Sequence, residues 1–185
     1  MEIKGLLEVI QVQRHDFLNH LQVISGLLQL NKGERVRDYI NQVCGDYERL
    51  SMITRLKSPE VKAVLLIANN EAAKCQVDFV MDIETNMASL AVPGQVVGAA
   101  LERCVMQALK FLSPPEVIDR RMSLTISEGE RKITVKLVFP GVPAEVVQDA
   151  QEQMVLSEAL APYKSSTKLA VTEKETEIYM IFPKK

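Results

Sequence analysis

The chain has 185 residues, of which 47% are apolar, so it can bury the core of one ordinary domain or two small ones. Its 22 basic and 24 acidic residues give a net charge of −2. Without an excess of positive charge the chain lacks the field that attracts nucleic acids, and we expect no nucleic-acid partner. The longest apolar run, residues 63–68, is far shorter than the roughly 20 residues that cross a bilayer. We therefore expect a cytoplasmic protein with no membrane partner.

Cys44, Cys75 and Cys104 show no CxxC or other spacing typical of metal ligands. An odd number of scattered thiols fits a reducing compartment better than a disulfide framework or a zinc site. We assign no chemistry to the cysteines.

Residues 3–28 predict a long helix, because apolar residues recur at alternating steps of four and three, interrupted only by Arg14. Residues 31–33 favour the left-handed backbone of a helix end, and the same pattern then resumes. Residues 1–57 therefore predict a helical hairpin. Two helices rarely make a stable core, so we expect two copies to pair as a homodimer with a four-helix bundle. The predicted seam of the first helix consists of Ile3, Leu7, Ile10, Phe17, Leu21, Ile24 and Leu28.

The second predicted domain, residues 58–185, begins at Ser58 and Pro59, which suit the start of a helix. A further helix is expected over residues 144–161, and Pro162 with residues 165–166 indicates a loop after it. The pattern predicts an α+β domain with helices on one face of a mostly antiparallel sheet. The other predicted elements are helices at about 59–75 and 93–112 and strands at 76–83, 122–126, 133–139 and 177–182.

His15 is the candidate functional residue. If the seam is as listed, His15, Asn19 and Gln22 lie on one outward stripe at positions i, i+4 and i+7. A helical histidine is ordinarily just solvated or packed, but an exposed imidazole is also a competent nucleophile that forms covalent intermediates. On a rigid helix it suits in-line phosphoryl transfer inside the pocket of another protein.

Three neighbours can support this chemistry. Asp16 can orient the ring or favour its protonated form, Asn19 can hydrogen-bond to it, and Arg14 can offset phosphoryl charge. A metal site is disfavoured because His15 and His20 are separated by about 140° around the helix. The sequence contains no GxSxG pattern, which would indicate a serine nucleophile. Because His20 lies on a different side of the helix from His15, we predict that it is a polar residue flanking the bundle and not a second catalytic residue.

Residues 14–30, RHDFLNHLQVISGLLQL, resemble the phosphoacceptor helix of the sporulation initiation phosphotransferase B family. The same motif occurs in sensor kinases of the citrate and malate type. In that family the histidine of the RHD motif is phosphorylated, and the matching residue here is His15. We assign partner binding to Leu18, Gln22 and Val23 on the same helix.

The resemblance extends to the whole chain, because the second domain resembles a histidine-kinase ATPase domain. A working kinase carries a metal-binding asparagine in a pattern like N-L-I-D-N-A-I-E-A, which corresponds here to residues 100–108. In this chain Arg103 takes the place of the acid and Cys104 takes the place of the metal-binding asparagine. The D-x-G-x-G box corresponds to residues 137–143, which lack the aspartate. No glycine follows Gly141, so the usual phosphate cradle cannot form.

The resemblance implies a two-component phosphorelay phosphotransferase without autokinase activity. A phosphoryl group would pass from an aspartate of one response-regulator receiver domain to His15, and then to an aspartate of a second, in sporulation control. This chain would bind no cofactor, since the regulator's acidic pocket would supply Mg²⁺. Two alternatives stay open. One is a non-catalytic protein that docks or sequesters response regulators or sensor kinases, and the other is an ATP-dependent kinase fragment with an unusual nucleotide site.

Overall fold

The structure is a computed structural model that describes residues 3–141, 157–172 and 174–185. The chain divides into two compact units, Met1–Arg55 and Leu56–Lys185. In the described residues no helix is long and apolar enough to cross a membrane.

The first unit is the predicted helical hairpin. Helix α1 spans Ile3–Gln29 and α2 spans Gly33–Arg55. Between them Asn31 adopts left-handed backbone with φ 56°, as the residues of the turn favour. Its amide donates to the Leu28 carbonyl at 2.9 Å, which closes the end of α1.

A polar and aromatic contact fixes the two helices against each other. His20 Nδ1 lies 2.9 Å from the Tyr39 hydroxyl, and the His20 ring meets the edge of Tyr47 at 6.4 Å between centroids. His20 is half-buried at this contact. Its role in the structure is therefore to pack α1 on α2.

One apolar face of the hairpin is uncovered. Five of the predicted seam residues of α1 are between 48% and 61% exposed to solvent. A hairpin of two helices has no further element to bury them, and exposed apolar patches of this kind mark association surfaces. These residues are Leu7, Ile10, Phe17, Leu21 and Leu28.

In the part of the second unit that the structure describes, three α-helices combine with one five-stranded sheet. The strand order is β1-β2-β3-β5-β4, in which β1 and β2 are parallel and the other neighbours are antiparallel. This confirms the predicted α+β class. The helices are α3 Pro59–Lys74, α4 Gly94–Leu112 and α5 Ser157–Leu160, and the strands are β1 Asp78–Ile83, β2 Arg121–Glu128, β3 Lys132–Pro140, β4 Ser166–Val171 and β5 Glu175–Pro183.

The core of this unit lies on one face of the sheet. Alternate residues of β2, β3 and β5 are buried, and α3 and α4 pack on each other with their apolar sides inward. The other face carries polar groups such as Lys136, whose Nζ lies 2.7 Å from Glu177. Burial of apolar area at about 25 cal/mol per Å² is the main stabilising contribution of such a layer.

Helices α3 and α4 approach each other closely at two glycines of α4. A Cβ atom at Gly94 would collide with Glu60 Oε2 and with Ser58 Oγ, and one at Gly98 would lie 3.2 Å from Glu60 Cβ. Ser58 also caps α3, because its hydroxyl accepts a hydrogen bond from the Val61 amide at 3.3 Å. The Glu60 carboxylate thus lies at the amino-terminal end of α4, where the helix dipole favours an anion.

The sequence interpretation missed one strand. We expected a loop at residues 165–166 and no strand there, but β4 begins at Ser166 and pairs with β5. Most of the helix predicted over residues 144–161 lies outside the described residues. The described part of that range is helix α5, Ser157–Leu160, and a 3-10 turn, Ala161–Tyr163, follows it.

Candidate functional site

His15 lies in the interior of α1, where the backbone is held by the hydrogen bonds of a regular helix. Its side chain is 75% exposed. The imidazole therefore projects from a rigid backbone into solvent, where the active site of another protein can reach it.

One ring nitrogen of His15 is held by the next turn of the helix. Asn19 Nδ2 lies 3.0 Å from His15 Nδ1, and Asp16 Oδ1 lies 3.8 Å from the same nitrogen. No hydrogen bond from a described residue reaches Nε2. The two ring nitrogens are therefore distinct, and Nε2 is the one open to a reacting group.

The partners of Nδ1 permit either tautomer of the neutral ring. When the Asn19 amide nitrogen donates, Nδ1 keeps its lone pair and Nε2 carries the proton of the neutral ring. When Nδ1 carries the proton, the Asn19 amide must turn over so that its Oδ1 accepts this proton, the Asp16 carboxylate can stabilise it, and Nε2 then presents a lone pair. The second state is the nucleophilic one at the open nitrogen.

The other predicted site residues are all exposed on α1. Arg14, which the sequence placed toward the seam, is exposed in the described hairpin. Leu18 is 51% exposed and Val23 is 41% exposed, and Gln22 lies between them on the surface. The structure thus places these side chains within about two helical turns of His15.

Two positions, those that match the acid and the metal-binding asparagine of the kinase pattern, cannot supply oxygen ligands. Cys104 is fully buried in α4, and burial raises the pKa of its thiol to about 12, although the charge of Arg103 acts to lower it. Arg103 itself is exposed and cationic. A protonated core thiol beside a surface guanidinium gives Mg²⁺ no oxygen ligand, and Mg²⁺ binds through oxygen.

Phe139 occupies the place of the aspartate in the D-x-G-x-G box. Its side chain is 2% exposed, and its ring stacks on Phe111 of α4 with 6.5 Å between centroids. A buried aromatic pair offers no hydrogen bond to a base, unlike a carboxylate. Val142 and Pro143, the end of this box, lie outside the described residues.

Sequence reasoning did not identify the Tyr39 and Tyr47 contacts of His20. Both tyrosines are on α2, and contacts between helices depend on how the helices cross, which heptad spacing does not determine.

The architecture of the second unit is that of a histidine-kinase catalytic domain. The catalytic domain of the histidine kinase ThkA matches with a TM-score of 0.54 at 12% identity, over 68% of this chain and 91% of that one. A second solved structure, ThkA in complex with the response regulator protein TrrA, matches with a TM-score of 0.51 at 15% identity, over 96% of this chain and 61% of that one. At these identities the likeness establishes the fold.

Sequence comparison gives the more particular assignment of the first unit. Residues 1–56 match the family described as the sensor kinase SpoOB-type alpha-helical domain. The sensor histidine kinase DcuS of Escherichia coli K12 is 26% identical over 144 residues, which cover 76% of this chain. The match spans about a quarter of that relative's length, 26%. The chain is thus similar to two-component sensor histidine kinases and carries a SpoOB-type helical segment, which confirms the resemblance drawn from residues 14–30.

Proposed function

We propose that this chain is a phosphorelay phosphotransferase that carries the phosphoryl group on His15. The observation that supports it most is the combination of an exposed imidazole on a regular helix with an open Nε2 and a held Nδ1. Positioning supplies most of the catalysis in phosphoryl transfer, and a ring held through its other nitrogen is positioned.

The proposed reaction consists of two in-line displacements. His15 Nε2 attacks the phosphorus of an aspartyl phosphate, so that a P–N bond forms while the P–O bond to the aspartate breaks and its carboxylate leaves. Nδ1 keeps its proton, and the Asp16 carboxylate stabilises the positive ring. An aspartate of a second regulator then attacks phosphorus and the P–N bond breaks. The regulators' own acidic residues hold Mg²⁺.

The proposed supporting roles follow from position on α1. Asn19 and Asp16 position the ring, while Arg14 offsets the charge of the phosphoryl group. Leu18, Gln22 and Val23 contact the receiver domain; the first and last of these present apolar side chains to it. The neighbouring structure of ThkA, which is in complex with a response regulator protein, supports a receiver domain as the partner.

We propose further that the chain does not phosphorylate itself from ATP. Cys104 and Phe139 put a buried thiol and a buried aromatic ring where a kinase requires an amide and a carboxylate. The absence of any glycine after Gly141 removes the flexible phosphate-binding backbone. We place this relay in the cytoplasm and in sporulation control, as the resemblance of residues 14–30 to the sporulation phosphotransferase family implies, and residues 1–56 match the SpoOB-type helical segment.

The uncovered face of α1 supports a homodimer. Two hairpins that meet along Leu7, Ile10, Phe17, Leu21 and Leu28 would bury side chains that are about half exposed in one copy. His15 is outside this seam and would stay accessible in the bundle.

A docking protein without catalysis is the second candidate, because Leu18 and Val23 give α1 an apolar surface independent of His15. It would sequester a response regulator or a sensor kinase. Binding of a receiver domain with no transfer of its phosphoryl group would favour this function.

Transfer from a panel of phosphorylated receiver domains tests the proposal. The wild-type chain should become labelled in the presence of Mg²⁺, and His15→Gln should remove the label while the fold and the dimer are retained. The matched control is His20→Gln, which changes the other histidine of the same helix and should keep labelling. Equal labelling of wild type and His15→Gln would exclude the assignment. Magnesium-dependent ATP binding to the pure chain would instead support the kinase-fragment alternative.

A further inference from the structure

Residues 84–91 form a constrained loop between β1 and α4. Within it Met87 has left-handed backbone, φ 56°, while its side chain is 3% exposed. Left-handed backbone is unfavourable for a residue with a Cβ atom, so contacts around the loop must hold it. Two groups of contacts do so.

The first group centres on Glu128, at the end of β2. The Thr85 and Ser89 hydroxyls both donate to its carboxylate, the latter at 2.7 Å. Thr85 Oγ1 also accepts a hydrogen bond from the Met87 amide at 3.1 Å. One carboxylate therefore holds both halves of the loop.

The second group comes from residues 183–185, at the end of β5. The Ala91 amide donates to the Pro183 carbonyl at 3.1 Å, and the Lys185 amide donates to the Ser89 carbonyl at 2.8 Å. Lys184 Nζ joins the two groups, since it lies 2.7 Å from Glu128 Oε1. Residues 183–185 thus lie along the loop, with an isolated antiparallel bridge between Leu90 and Lys184.

The loop in turn holds the chain that leaves the helical unit. The Lys57 amide donates to the Asn86 carbonyl at 2.8 Å, and the preceding Leu56 is 1% exposed. Asn86 Oδ1 accepts a hydrogen bond from the Ala88 amide at 2.9 Å, which fixes the turn that aims this carbonyl. Lys57 follows directly on the residues where the two compact units divide.

We propose that residues 183–185 form a strap that fixes the backbone at Lys57 through Glu128 and residues 84–91. Release of residues 183–185 would loosen residues 84–91 and free the Lys57 amide from the Asn86 carbonyl. This proposal does not depend on the phosphotransfer proposal, because it concerns only contacts within Leu56–Lys185.

Hydrogen exchange of the Lys57 amide in the full chain tests the strap. Glu128→Ala and a chain that ends at Pro183 should each accelerate this exchange roughly tenfold or more, because the first removes the contacts of Glu128 and the second removes those of Lys184 and Lys185. The Leu124 amide, in the middle of the sheet, should be unaffected. The matched control is Glu177→Ala, which breaks an ion pair on the same sheet away from the loop and should leave Lys57 unchanged.

Unchanged exchange at Lys57 in both variants would overturn the strap. If Glu128→Ala accelerates Leu124 as much as Lys57, the variant has loosened the whole unit, and Ser89→Ala gives the deciding comparison. That variant removes a single hydrogen bond to Glu128. The proposal is also rejected if the ratio of the Lys57 exchange rate to the Leu124 exchange rate is the same as in wild type in both Ser89→Ala and the shortened chain.

Discussion

Asn19 is the residue on which the geometry of the candidate site most depends. It is one helical turn from His15 and contacts the ring nitrogen that faces away from the reacting partner. Because an i, i+4 pair on a helix lies close together, the sequence was sufficient to predict this contact. The interhelical partner of His20, nineteen residues away in sequence, was not predictable in the same way.

Asn19→Ala tests the positioning role. Without the amide the His15 ring samples more rotamers, so transfer from a phosphorylated receiver should slow by about tenfold or more, as misplacement of a reacting group does. Stopped-flow or quenched-flow transfer rates measure this. Gln29→Ala, an exposed amide near the end of α1, is the matched control and should leave the rate unchanged. Equal rates for Asn19→Ala and wild type would show that the contact does not position the ring.

At the scale of elements, the close contact between α3 and α4 depends on Gly94, which has no side chain. Gly94→Ala would place a methyl group against Glu60 and Ser58, and would disturb the cap of α3. We expect a loss of about 1–2 kcal/mol in the free energy of unfolding, the typical worth of a lost cap or a tight contact. Denaturant unfolding of the second unit measures the change.

Gly45→Ala provides the comparison for Gly94→Ala. Gly45 lies inside α2, and no atom lies within 4 Å of the position that an alanine methyl group would take there. The higher helix propensity of alanine should stabilise this helix by about 1 kcal/mol. Stabilisation by both alanines would show that the α3–α4 contact is looser than the structure has it.

Glu128 gives the second unit a pH dependence at low pH. Hydrogen bonds from Lys184 first, then from Thr85 and Ser89, lower the pKa of this carboxyl from its ordinary 4.5 to about 2. A lowered pKa in the folded state means that the contribution to stability is complete above about pH 4.5 and is lost as the pH falls toward 2. At pH 7 the wild-type chain should therefore have a higher melting temperature than Glu128→Gln, and the difference between the two melting temperatures should disappear near pH 2. A difference that grows on acidification would contradict this.

The sheet shows what the sequence could and could not predict about elements. Strands β2 and β3 alternate apolar and polar residues around a turn, and this pattern was enough to place them. Strand β4 begins in a pair of serines shortly after a proline, and it alternates only exposed with half-buried residues because it is at the sheet edge. Its strand character comes from pairing with β5, a tertiary contact that local pattern does not contain. The strap at residues 183–185 depends on such long-range contacts too.

At the scale of the whole molecule, the exposed seam predicts association. Leu21→Glu would place a charge in the middle of the proposed dimer interface, where burial of an unpaired carboxylate is costly. The wild-type chain should have the mass of two chains in light scattering, and the variant that of one. Gln29→Glu adds the same charge at the exposed end of α1 and should remain dimeric. A wild-type mass of one chain would refute the four-helix bundle.

The two units divide the proposed work of the molecule. In our proposal the helical unit presents the reacting nitrogen. The second unit has the fold of a kinase catalytic domain, and the buried side chains of Cys104 and Phe139 are our argument that it does not use ATP. The fold likeness was predictable from the order of the elements. The burial of these two side chains was not, because it depends on how α4 packs on the sheet.

The position of the phosphoryl group after exposure to a phosphorylated receiver is the most direct test of the account. Mass spectrometry at neutral pH should find one acid-labile phosphoryl group on His15, and none when the chain is incubated with Mg²⁺ and ATP alone. A phosphoryl group on His20 or on any other residue, or labelling of His15 by ATP without a receiver, would contradict the account.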